Sequence, residues 1–129
     1  MNKLDKESII GISALLVHAA KIDEIYSDHE KDLIKNFIKS YLENGDPNEF
    51  LKKAEEVEKN SNQLLNYTNI IKQNSTDIKK DIIEHLWKVI ISDNTVDQYE
   101  SNLMRRICGL IYFPDKECAE IKLKLLNSK

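Results

Sequence analysis

The sequence predicts an all-α fold: a single-domain bundle of about seven helices with an internal pseudo-twofold repeat. Three observations carry this prediction. Apolar residues recur at helical spacing along most of the chain, with no credible pair of strands between them. Only 3 glycines and 2 prolines occur in 129 residues, too few for a turn-rich β design. One stretch is also written twice, as LVHAAKIDEIYSDHEKDLIKNFI at 16–38 and LWKVIISDNTVDQYESNLMRRIC at 86–108. At a constant offset Leu16 answers Leu86, Asp23 answers Asp93, Glu30 answers Glu100 and Leu33 answers Leu103. Half of these identities are acidic, so the repeat is weighted toward its turns.

The first helix is expected over about 5–22, with Asp5 as N-cap. Ile9, Ile12, Leu16 and Ala19 form its inward stripe, widened by Leu15 and Ala20. An acidic turn over 23–28 follows. Ser27 and Glu30 have the spacing of a capping box: the hydroxyl takes a backbone N–H of the first turn and the carboxylate reaches back to the Ser27 N–H. The second helix presents Leu33, Ile34, Phe37, Ile38 and Tyr41 on one face. In Asn44-Gly45-Asp46-Pro47, Gly45 reads as a left-handed stop, Asp46 as an N-cap and Pro47 as the first residue of the third helix.

That third helix, about 47–59, turns Phe50, Leu51, Ala54 and Val57 inward, and its charged residues (Lys52, Lys53, Glu55, Glu56, Glu58, Lys59) read as a solvated face. A short polar helix over about 62–73 offers Leu64, Leu65, Tyr67 and Ile71 for packing. Asn74-Ser75-Thr76 separates the two halves, about 5–73 and 77–126. The fifth helix, about 77–92, has the strongest pattern: Ile78, Ile82, Ile83, Leu86, Trp87 and Ile90. Its wide apolar arc predicts a central place, packed on the first helix. A second acidic turn leads to a sixth helix with Leu103, Met104, Ile107, Cys108 and Ile111 inward. Pro114 and Asp115 open a seventh, which closes the core with Cys118, Ile121 and Leu125.

Composition excludes several functional classes. A net charge of −3 gives no general field for nucleic acid. No run reaches the roughly 18 apolar residues of a membrane span. Residues 9–20 imitate the apolar part of a signal peptide, but Asp5 and Glu7 stand where that region is basic, and 78–91 is a folded counterpart. A cytoplasmic protein is therefore expected. Cys108 and Cys118 lack zinc or thioredoxin spacing, and Cys108 reads as a small buried hydrophobe. His18, His29 and His85 have no metal-ligand spacing, and no nucleophile triad, P-loop or dinucleotide fingerprint occurs. No enzyme is expected.

The chemistry that remains is in the two acidic turns. Asp23 and Glu30 flank one reversal; Asp93, Asp97 and Glu100 flank the other. Clustered carboxylate oxygens suit a hard cation such as Ca²⁺ or Mg²⁺. Acids at helix starts equally satisfy free N–H groups and the helix dipole, each cap contributing about 0.5–2 kcal/mol. Both readings stand: caps alone, or caps that also bind a cation. Arg105 and Arg106 are the only arginines among 19 basic residues and suggest a bidentate grip on a carboxylate. The polar 47–73 segment suits a protein partner, and wide apolar arcs leave a homodimer open.

At these turns the sequence resembles the TerB-like (tellurite resistance protein B) family, nearest its short stand-alone bacterial members, over roughly 8–126. HAAKIDEIYSDHE at 18–30 and LWKVIISDNTVDQYESNLMRRICGL at 86–110 carry the resemblance. The family pattern is an apolar helix, Ala-Asp-Gly, a hydrophobic residue, a cap and a Glu opening the next helix. Asp23, Ile25, Ser27 and Glu30 occupy it once; Asp93, Val96, Asp97 and Glu100 occupy it again. Glu24 and Asn94 stand where the family prefers Gly, and Lys21 and Ser92 replace its Ala. The resemblance implies an all-helical domain linked to tellurite and stress response, an acidic metal site and no catalysis.

Overall fold

The computed structural model describes residues 4–21, 26–60, 65–91 and 98–127. Among them run seven helices: α1 (Lys6–Ala20), α2 (Asp28–Tyr41), α3 (Pro47–Asn60), α4 (Leu65–Lys72), α5 (Thr76–Ile91), α6 (Gln98–Leu110) and α7 (Asp115–Asn127). The bends at 22–25 and 92–97 lie outside the described residues, and so does the twofold relation that would be read from their shapes.

α1 is the hub. It packs against α2, α3, α4 and α5, and every residue from Gly11 to Val17 is buried. A helix apolar on nearly all sides must be surrounded, and ISALLV supplies that breadth. α5 packs on α1 as its pattern predicts, and also on α2, α4 and α7, but the surrounded position belongs to α1. Buried residues of all seven helices join one apolar cluster.

Local signals set most boundaries. The Asp5 carboxylate accepts the Ser8 N–H at 2.7 Å and starts α1. The helix stops at Ala20, with Lys21 as C-cap, two residues earlier than the periodicity predicts. Asp46 accepts the Asn48 N–H at 3.0 Å, and Pro47 opens α3. Gly45 is not the C-terminal stop of α2: Leu42, already extended, ends that helix, and Gly45 serves the following turn at φ 131°. Val57 is 39% exposed and does not face inward. Toward its end the α3 stripe against α1 runs from Leu51 through Ala54 to the half-buried Glu58, which leaves Val57 to one side. Leu64 and the Leu65 side chain lie outside the described residues, and Tyr67 and Ile71 carry the packing of α4.

α6 closes with a Schellman motif. The Phe113 N–H bonds the Cys108 carbonyl at 2.9 Å and the Tyr112 N–H bonds that of Gly109 at 3.4 Å. Tyr112 takes the left-handed position usually given to Gly, at φ 60°. Its ring stays exposed beneath the Lys72 ammonium, 4.7 Å from the ring centre, while Phe113 is driven into the core.

One glycine sets a helix contact. A Cβ on Gly11 would lie 2.5 Å from Ile70 Cδ1 of α4. Gly11→Ala is expected to change stability by less than about 1 kcal/mol, because the half-buried Ile70 tip can rotate and the gain in helix propensity offsets the shift. Gly11→Val places a branched carbon against the same atom and is expected to cost about 1–3 kcal/mol in denaturant melts.

Candidate functional site

At the first acidic turn several polar side chains of the described residues come together. Ser27 and Glu30 form the predicted box. Glu30 Oε1 accepts the Ser27 N–H at 2.8 Å and the Ser27 Oγ–H at 3.1 Å, and Ser27 Oγ accepts the Glu30 N–H at 3.2 Å. Glu30 is 6% exposed, so its carboxylate is part of the protein interior. Buried carboxylates need such donors.

Residues that sequence spacing did not single out surround this cap. Tyr26 immediately precedes the cap, and its hydroxyl donates to Glu55 Oε2 at 2.7 Å. The Lys31 and Lys21 ammonium groups lie 5.1 and 5.8 Å from its ring centre. Glu58 accepts from Lys21 Nζ at 3.0 Å, and its other oxygen is 3.5 Å from His18 Nδ1. Glu55 and Glu58 are thus not merely a solvated face: they tie α3 to the end of α1 and the start of α2. The signal available in the sequence was the aromatic residue just before the Ser27 cap, where a hydrophobic staple sits.

Of the predicted acids, Glu30 alone can be placed with its side chain. Asp23, Asp93 and Asp97 lie outside the described residues, and so does the side chain of Glu100, whose backbone is in the first turn of α6. Among the described residues no group of three metal-ligating side chains occurs. Arg105 and Arg106 do not grip a carboxylate there: both are exposed, because Met104, Ile107, Cys108 and Ile111 take the inward face of α6. His29 is exposed.

Burial raises the Tyr26 phenol well above its ordinary value; the bond to Glu55 and the negative charges of Glu55, Glu30 and Glu58 push the same way. A second phenol behaves alike. Burial raises Tyr41, helped by its bond to Asp81 Oδ2 at 2.5 Å and by that carboxylate's charge. Asp81 belongs to an acidic cleft between α2 and α5, shared with Ser40, Asp77, Lys80 and Glu84. As pH rises past the ordinary phenol value of 10.0, the unfolded chain releases these protons while the folded chain holds them. The stability they contribute is therefore complete below that pH and declines above it. Melting temperature is expected to fall more steeply above pH about 10 in the wild type than in Tyr26→Phe/Tyr41→Phe, which has nothing to ionise at these positions.

No described helix is long and apolar enough to cross a membrane. Residues 9–20 lie within α1, and most of them are core.

An all-helical domain with a Glu-capped, acid-rich turn between its first two helices defines the class. The family model described as "Tellurite resistance protein TerB" matches residues 10–123. The chain belongs to the TerB family. No curated protein and no solved structure gives a significant match.

Proposed function

We propose that this chain is a non-catalytic TerB-family binding module, placed by family in tellurite resistance or a related stress response, whose acidic turns act first as helix caps around a partner-binding surface. The observation that carries this reading is the engagement of Glu30. Its carboxylate is buried, and one oxygen already accepts both donors of Ser27. Around it Glu55 and Glu58 meet Tyr26, Lys21 and His18, a set of polar contacts that ties α3 to the end of α1. A general acid or base needs a group exposed to substrate and poised to exchange a proton.

A second reading has its own support. Glu30, Glu55 and Glu58 all place negative charge at Tyr26, and Asp23 follows α1 by only a few residues. Such a field favours a hard cation, Ca²⁺ or Mg²⁺, shared with Asp23; Asp93, Asp97 and Glu100 would form its counterpart.

Calorimetry with Ca²⁺, Mg²⁺ and Mn²⁺ separates the two on wild type, Glu30→Gln and Asp93→Ala/Glu100→Ala. The cap reading expects no heat and no change in melting temperature at millimolar metal. Binding heat in the wild type that disappears in the variants would replace it with the cation reading.

A further inference from the structure

The cleft beside α7 carries a different chemistry. Cys118 of α7 and Cys108 of α6 are both free and buried, and each thiol perturbs the other's ionisation, Cys108 being held high and Cys118 low. The indole N–H of Trp87 also donates to Cys118 Sγ, at 3.3 Å. Cys118, unlike the fully buried Cys108, reaches the wall of an open cleft of about 540 Å³. Arg105 and Lys122 line that cleft together with the carboxylate of Asp115. The Lys122 ammonium lies 5.3 Å from the Trp87 ring centre.

We propose that this is a thiol-exchange site for an anionic low-molecular-weight disulfide, with Cys118 as the attacking sulfur and Cys108 as the resolving one. The Trp87 N–H is aimed at one sulfur of the pair, and that sulfur is the one at the cleft. Such an environment stabilises a thiolate, which is the nucleophile in exchange. The neighbouring Cys108 thiol, with help from the Trp87 N–H and Lys122, lowers the Cys118 thiol against the opposing effects of burial and of the Asp115 charge. The Cys118 thiol, helped by burial and the Asp115 charge, holds Cys108 high and protonated.

The steps balance. Cys118 loses its proton to solvent and attacks one sulfur of the disulfide; the S–S bond breaks, and the departing thiolate takes up a proton. Once Cys118 is a mixed disulfide it no longer carries the charge that held the Cys108 proton. Cys108 then deprotonates, attacks Cys118 Sγ and expels the second thiol. Two protein thiols become one disulfide, and the small disulfide becomes two thiols.

The test uses the full chain, folded, with oxidised glutathione as the probe. Thiols are counted after quenching, and adducts are read by intact mass. The wild type is expected to lose both thiols and retain no glutathione. Cys108→Ala is expected to keep one glutathione on Cys118, and Cys118→Ala to leave Cys108 unreacted. Arg105→Gln/Lys122→Gln is expected to slow the reaction about 3- to 10-fold with glutathione disulfide and not with the cationic disulfide cystamine. A folded wild-type chain that keeps both thiols, while the urea-unfolded chain reacts, overturns the proposal without recourse to any variant. Equal reactivity of the two alanine variants overturns the assignment of roles, and equal slowing with both disulfides overturns the preference for anions.

Discussion

Phe37→Ala is expected to destabilise the protein by about 3–5 kcal/mol. Phe37 is among the largest fully buried side chains. It sits on α2 where that helix meets α5, with its ring centre 5.1 Å from that of Tyr41 and 5.1 Å from that of His85, the latter edge-on. His85 is itself held in place, since its Nδ1 is 2.8 Å from the Asp81 carbonyl and must carry the proton there. A ring fixed on two sides leaves neighbours that cannot collapse inward, so the truncation leaves a cavity as well as losing transfer energy. For a domain whose total stability is about 5–15 kcal/mol, the melting temperature should drop by more than about 10 °C. The exposed Val57 is the internal control: Val57→Ala is expected to stay within about 0.5 kcal/mol. Similar losses at the two sites, in urea melts read by circular dichroism, would show that α2 and α5 do not pack as described.

Glu30→Ala carries the second large effect, about 1–3 kcal/mol, because it strands the Ser27 N–H in a half-buried place. Glu30→Gln keeps an oxygen for that N–H and fits the same box, so it should cost less than about 1 kcal/mol. Ser27→Ala should cost about 0.5–2 kcal/mol. Because both residues serve one cap, the double variant should cost clearly less than the sum of the single changes. Additive losses would mean that Glu30 stabilises the turn through something other than Ser27. The separation of Gln from Ala also distinguishes a cap from a cation ligand, since a neutral amide keeps the first role and weakens the second.

Features legible in the sequence were those set by neighbours along the chain. Asp5, Ser27 with Glu30, and Asp46 with Pro47 act on backbone N–H groups within a turn of themselves. The inward stripes of α1, α2 and α5 follow from helical spacing alone. What was not legible depends on which helices lie side by side. Glu55 and Glu58 looked like ordinary surface charges on α3 until α1 and Tyr26 were brought beside them. Val57 and Glu58 are adjacent in sequence, and only the angle between α3 and α1 decides which turns inward. Gly45 was read as a helix stop, but Leu42 had already left the helix. Arg105 and Arg106 implied an acidic partner; both are exposed, and the acids of the second turn that could pair with them lie outside the described residues. The thiol pair shows the same limit: Cys108 and Cys118 have no motif spacing, and the Schellman reversal after α6 is what makes them neighbours.

The position of Trp87 has a practical consequence. It is the chain's single tryptophan, and its indole bonds directly to a sulfur. A thiol in contact quenches indole emission, so the native protein should be dim and brighten as α5 and α7 separate. One intrinsic fluorophore thus reports, without a label, on the joint between the last helix and the rest of the bundle.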